Sequence, residues 1–192
     1  SGLRQGLTQY GDTEFSLFLR KAFIKGAGFT DQALDRPIVG IANTDSGFNP
    51  CHGNSKALIE AIKRGVMLAG GLPIEFPTIS LHESFAFPTS MYLRNLMAMD
   101  TEEMLRALPL DAVVLLGGCD KTVPAQLLAA ASANVQAIQL VTASMLHGSH
   151  RGTRVRARPH VRCSLAPFRA HPIQHEDHVA TNTPMMRSCG TS

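Results

Sequence analysis

Two short fragments hold the residue types best suited to chemistry: Asn49-Pro50-Cys51-His52 and Gly117-Gly118-Cys119-Asp120-Lys121. Each sets a thiol directly after what reads as a parallel strand, and in open α/β sheets that carboxyl edge is where ligands bind. In the second fragment the thiol is followed at once by a carboxylate and an amine. A soft sulfur ligand beside a hard oxygen ligand suggests a site that handles two different metals. Plainer readings stand beside this one. A lone cysteine after a strand is commonly a small buried hydrophobe, and Asp120 with Lys121 also suits a helix start, where a carboxylate is favourable. Glu83, in the apolar setting Leu81-His82-Glu83-Ser84-Phe85, reads as a ligand or as a solvated loop acid. His52 and His82 read as groups that orient ligands or as ordinary packing. The loop Asn43-Thr44-Asp45-Ser46 either faces a substrate or forms a common turn.

The elements that must position these residues alternate. Residues 13 to 25 read as a helix with Phe15, Phe18, Leu19, Ala22 and Phe23 on one side and Gly26 and Gly28 to stop it. Pro37 to Ala42 is a short apolar strand. Asn54 can cap a helix carrying Leu58, Ala61, Ile62 and Leu68, which stops at Gly70-Gly71. A strand near 74–80 and a helix near 88–98 follow, and Asp100 with Glu103 forms a capping-box-like pair for a further helix. Ala112 to Leu116 is a near-continuous apolar run, as in a strand covered on both faces. Pro124 to Ala133 is helical and Ala137 to Val141 is a strand. This alternation predicts an α/β fold, a parallel sheet with helices on both faces. Residues 156–192 show neither period and read as an irregular C-terminal tail, apart from an α/β domain over 1–155.

Composition bounds the rest. The chain has 192 residues, 44% of them hydrophobic and 17% charged, which is ordinary for a globular protein able to bury a sizeable core. No apolar run approaches the roughly 18 residues needed to span a bilayer, and Ser1-Gly2-Leu3-Arg4-Gln5 opens no signal-peptide core, so no membrane role and a cytoplasmic location are expected. The start without Met reads as a processed terminus. Cys51, Cys119, Cys163 and Cys189 are widely spaced, which argues against a disulfide framework. Net charge is +3, with seven arginines between Arg151 and Arg187 and six of the eight histidines between His147 and His178. That tail has one aromatic residue, Phe168, and no periodicity to organise a basic face, so nucleic acid is not an expected partner. Cys163 and the histidines fit no structural zinc spacing. Ser149, His150 and Arg151 are adjacent and point in different directions, which argues against a hydrolytic Ser-His pair.

Five ordered stretches together resemble the dihydroxy-acid and sugar-acid dehydratase family of iron–sulfur enzymes. They are Gly40-Ile41-Ala42-Asn43-Thr44, Asn49-Pro50-Cys51-His52, Leu81-His82-Glu83, Gly117-Gly118-Cys119-Asp120-Lys121 and Gly148-Ser149-His150-Arg151-Gly152. The resemblance covers about residues 3 to 155. It implies that Cys51 and Cys119 are two of three thiolate ligands of a two-iron or four-iron cluster. Three ligands leave one iron open as a Lewis acid. It further implies that Glu83, Asp120 and a carbamylated Lys121 serve Mg2+ through oxygen. An unmodified ammonium has no lone pair and could not ligate. The implied reaction removes water from a 2,3-dihydroxy acid to give a 2-keto acid, in a homo-oligomeric enzyme.

The same resemblance marks departures. The third family cysteine stands in a Gly-Thr-Cys context, whereas here Gly190-Thr191-Ser192 places Ser192 at that position, with Cys189 a possible substitute three residues before. A serine hydroxyl is a harder ligand than a thiol and holds iron poorly. Family members are considerably longer, so a truncated, inactive form is expected. The alternative is a catalytically dead α/β domain that acts only through a partner subunit.

Overall fold

The run Ile38–Asn43 is almost wholly apolar, and its side chains serve two cores at once. In the computed structural model, which describes residues 1–7, 11–142, 148–150 and 153–155, this run is strand β1. Ile38 and Ala42 point into one core, while Ile41 points into the other, as the two-residue period of a strand requires. Strand β3 (Ala112–Gly117) repeats the pattern: Val113 and Leu115 join the first core and Leu116 the second. Both strands are central, with Ile41, Ala42, Leu115 and Leu116 fully buried, so an apolar run suits them on both faces.

Strands β2 (Leu72–Pro77) and β4 (Ala137–Val141) complete a four-stranded sheet in the order β2-β1-β3-β4. Every pairing is parallel. Helix α2 (Ser55–Leu68) covers one face through Leu58, Ile59 and Ile62. Helices α1 (Thr13–Gly26), α3 (Ser90–Ala107) and α4 (Thr122–Ala133) lie on the other, through Leu17, Leu105, Ala129 and Ala130. The expected parallel α/β fold with helices on both faces is therefore present. From β1 the chain runs outward to β2, then crosses back to β3. Because such crossovers are right-handed, the helices that follow β1 and β3 leave on opposite faces. The loops that follow β1 and β3 leave from this switch point, the position at which doubly wound sheets bind ligands.

Several local expectations are corrected. Helix α1 buries Ser16 and Leu17, while Phe15, Phe18 and Phe23 are exposed. Arg20 draws the buried side toward the N-terminal segment by donating to the carbonyls of Leu3, Gln5 and Gly6. Asn54 precedes α2 but makes no side-chain cap; its Nδ2 donates to the Thr142 carbonyl at 2.7 Å. The helix near 88–98 does not stop. It is the first part of α3, capped by the Thr89 hydroxyl accepting from the Met91 amide. Asp100 lies inside that helix and accepts from the Ile79 amide at 2.8 Å.

Residues Ser1–Thr142 form one compact unit and Ala143–Ser192 a second. In the second, β5 (Gly148–His150) pairs antiparallel with β6 (Thr153–Val155).

Candidate functional site

Three loops at the carboxyl edge of the sheet carry the residues singled out from the sequence. The first follows β1. Asn43 accepts from the Asp45 amide at 2.8 Å through its side-chain oxygen, which closes a turn. Thr44 then points inward, 1% exposed, so this part of the loop is a structural turn and not an open substrate face. Cys51 lies in a 3-10 turn, Pro50–His52, and is half-buried. The second loop follows β2 and carries His82 and Glu83. The third follows β3 and carries Cys119, also half-buried, with Asp120 and Lys121 directly before α4.

Asn49 joins all three loops. It is fully buried; its Nδ2 donates to Ser80 Oγ at 3.2 Å and to the Leu81 carbonyl at 3.3 Å. Its Oδ1 accepts from the Cys119 thiol at 3.3 Å. The thiol-bearing loop after β3 is thereby anchored to the loop that carries the other thiol.

The carboxylates meet around an amine. Lys121 Nζ lies 3.0 Å from Asp120 Oδ2 and 3.4 Å from Glu83 Oε2. Glu83 Oε1 accepts from Thr89 Oγ1 at 2.9 Å, and Oε2 accepts from the Ser90 amide at 3.2 Å and from the Ser90 hydroxyl. These bonds, Ser90 first and Thr89 next, hold the Glu83 carboxyl down at about 2, with the Lys121 charge adding to them. The Lys121 amine is pushed up, chiefly by its hydrogen bond to Asp120. Glu83 is thus an ionised oxygen donor, and the ammonium sits where two carboxylates favour a cation. Thr89 and Ser90, which fix that donor, carried no signal in the sequence beyond helix-capping residue types.

His82 is occupied locally. Its Nδ1 accepts from the Ser84 amide at 3.2 Å, and its ring lies 5.7 Å from that of Phe85. His52 faces the interior between Thr44 and Gly118. Cys163, Cys189 and Ser192 lie outside the described residues. Among the described residues, no three His, Cys, Asp or Glu side chains converge as a preformed metal site. The donor chemistry nevertheless separates as two centres would need. Two thiols sit in loops tied together by Asn49, and two carboxylates bracket one cationic position. The thiols fit part of a sulfur-ligated iron centre and the carboxylates fit a hard divalent ion. No helix among the described residues is long and apolar enough to cross a membrane.

Comparison with known proteins points the same way. The family described as dihydroxy-acid/6-phosphogluconate dehydratase N-terminal matches residues 36–192. The chain is 45% identical over 147 residues to the L-arabonate dehydratase of Azospirillum brasilense, covering 76% of this chain and 25% of that protein. Identity to the L-arabinonate dehydratase of Rhizobium leguminosarum is 38% over 183 residues, or 95% of this chain and 32% of the relative. Identity to the dihydroxy-acid dehydratase of Moorella thermoacetica is 39% over 140 residues, 70% of this chain and 25% of that one. The chain spans about a quarter to a third of the length of these relatives. Five ordered motifs, a parallel sheet that gathers the two cysteine-bearing ones at one edge, and these matches lead to one assignment: the chain belongs to the dihydroxy-acid/6-phosphogluconate dehydratase family, as its N-terminal part.

Proposed function

We propose that this chain is the cluster- and metal-binding part of a hydro-lyase that dehydrates a 2,3-dihydroxy carboxylic acid, of the branched-chain or sugar-acid kind, to a 2-keto acid. The observation that carries the reading is the meeting of two thiol loops and a bracketed cation position at one sheet edge. Cys51 and Cys119 would hold an iron–sulfur cluster, with the third ligand position at Ser192 or Cys189. Glu83, Asp120 and Lys121 would hold Mg2+. When bound, the cluster supplies Lewis acidity toward a departing hydroxyl, and the divalent ion supplies positive charge where an enolate develops.

The chain's own residues set up that arrangement. Ser90 and Thr89 keep the Glu83 carboxylate charged and aimed, so it needs no deprotonation on binding an ion. Lys121, as an ammonium, offers no lone pair. It would ligate only after the ammonium has lost a proton and the resulting amine has added carbon dioxide and lost a second, becoming a carbamate that donates oxygen. Asn49 keeps the Cys119 thiol turned toward the Cys51 loop.

Anaerobic reconstitution of the purified chain with iron and sulfide tests this, read as bound metal and visible absorption. A stoichiometric cluster, lost in Cys51→Ser and in Cys119→Ser, is the expected result; folded protein that takes up no iron would sink it. A catalytically inert domain acting by association is the second reading, favoured by the exposed Phe15, Phe18 and Phe23 of α1. Size-exclusion chromatography with Phe18→Ser and Phe23→Ser separates the two, since only association depends on those rings.

A further inference from the structure

The two thiol loops are also joined by hydrogen bonds that involve neither sulfur. His52 is fully buried, and its Nε2 accepts from the Gly118 amide at 2.9 Å. Its Nδ1 lies 2.7 Å from the Thr44 carbonyl and 3.0 Å from Thr44 Oγ1. The Thr44 hydroxyl is spent on the Leu116 carbonyl at 2.8 Å, so Nδ1 is the donor to the Thr44 oxygens. These partners assign the ring proton to Nδ1 and leave Nε2 as an acceptor.

Thr142, the residue after β4, makes the second join and is 4% exposed. Its amide donates to the Gly117 carbonyl at 3.2 Å and its hydroxyl to the Cys51 carbonyl at 2.9 Å. Its own carbonyl accepts from Asn54 Nδ2 at 2.7 Å. Gly118 packs into the middle of this contact. A Cβ there would lie 2.0 Å from Thr142 Oγ1, 3.2 Å from the Cys51 carbonyl oxygen and 3.4 Å from His52 Cδ2. The Gly118 backbone therefore packs directly against the Thr142 hydroxyl and the Cys51 carbonyl, an approach that only glycine permits.

From this geometry we propose that His52 and Thr142 are positioning residues: a two-point clasp that fixes the Cys119 loop against the Cys51 loop in the metal-free protein. Its role in cluster binding rests on the assignment of Cys51 and Cys119 as ligands; its geometry does not. Two ligands presented by separate loops must otherwise be ordered when the cofactor binds, and a site held by hydrogen bonds outside the ligand set has met that entropy cost on folding. Cys119 gains its direction from Asn49, and the loop gains its place from His52 and Thr142.

Alkylation by iodoacetamide tests the clasp in the reduced, metal-free 192-residue chain. The rate is read separately at Cys51 and Cys119 by peptide mass spectrometry at fixed pH, well below each variant's Tm. Thr142→Val keeps the side-chain shape and removes the hydroxyl; His52→Leu removes the acceptor for Gly118. Each is expected to raise the Cys119 rate at least about fivefold, the factor that follows from losing one buried hydrogen bond. Thr142→Ser and His52→Gln restore a donor and an acceptor at the same places and should stay within about twofold of wild type. If His52→Leu does not fold, the Thr142→Val and Thr142→Ser pair decides. Wild-type alkylation in folded Thr142→Val overturns the clasp. Iron and sulfide uptake, measured in parallel, keeps the two ideas apart. Faster alkylation in a chain that takes up no cluster leaves the clasp standing and removes the cluster reading. Cluster uptake with unchanged alkylation does the reverse.

Discussion

Asn49 illustrates how much one buried amide settles at this site. Its oxygen serves the Cys119 thiol, and its nitrogen serves Ser80 and the Leu81 carbonyl, with no part of the side chain exposed. Asn49→Asp keeps the shape and the acceptor for sulfur but turns both donor hydrogens into a second acceptor facing the Leu81 carbonyl. A buried oxygen without a donor is costly, and a buried charge more so. The variant is expected to lose about 2–4 kcal/mol of stability, read as a fall in the urea unfolding midpoint with the slope unchanged. An unchanged midpoint would mean that this loop opens readily and that Asn49 does not hold it. The importance of Asn49 was visible in the sequence only as membership of a fragment with Cys51. That of Thr142 was not visible, because its partners stand 91 residues away at Cys51 and 88 away at Asn54. No local period or spacing carries such a contact.

Helices α3 and α4 are joined at their surface by a cluster that gives an element-scale prediction. Glu102 Oε1 accepts from Ser132 Oγ at 2.7 Å and from the Arg106 guanidinium at 2.7 Å, and Arg106 reaches on to the Ser132 carbonyl at 2.9 Å. The Ser132 bond first, then Arg106, holds the Glu102 carboxyl below its ordinary value. A carboxyl depressed on folding contributes stability that is fully present above its unfolded value, about 4.3, and is lost as pH falls through the lower folded value. Glu102→Gln should therefore melt below wild type at pH 7, with the gap closing under acid conditions. A gap that stays constant with pH would show that the charge plays no part. The strands and the order of helices were legible in the sequence, because apolar runs and glycine stops are local. Helix α3 was divided wrongly, since Asp100 resembles a cap, yet it faces the Ile79 amide from inside the helix. Its true signal was the burial of Met97, Thr101 and Leu105 at four-residue steps straight through Asp100. Helix α1 misled in the opposite way. Its phenylalanines keep helical spacing, but the buried side is set by Leu17 and by the reach of Arg20 to the N-terminal carbonyls.

At the scale of the whole molecule, the sheet is covered unequally. Among the described residues, three helices lie against one face, whereas α2 alone lies against the other and covers it mainly over β1 and β2. Beside α2 a groove of about 670 Å³ remains, lined by Val39, Val66, Val114, Ala137 and Ile138 among others. Ile138 is 69% exposed, while Leu115 on the adjacent strand is fully buried. The two positions should answer substitution in opposite ways. Leu115→Ala removes packed atoms from a core and is expected to cost about 2–5 kcal/mol. Ile138→Lys gives up little burial, because water already reaches that side chain, and it sets a charge at the mouth of the groove. The Tm should move by no more than about 2 °C, while fluorescence of a bound apolar dye such as ANS should fall by roughly half as the open apolar patch is broken. Undiminished dye fluorescence in folded Ile138→Lys would assign the dye to the exposed phenylalanines of α1. The prediction turns on a physical difference: a residue counts toward stability by the water it loses on folding, and Ile138, on the open side of the sheet, has lost little.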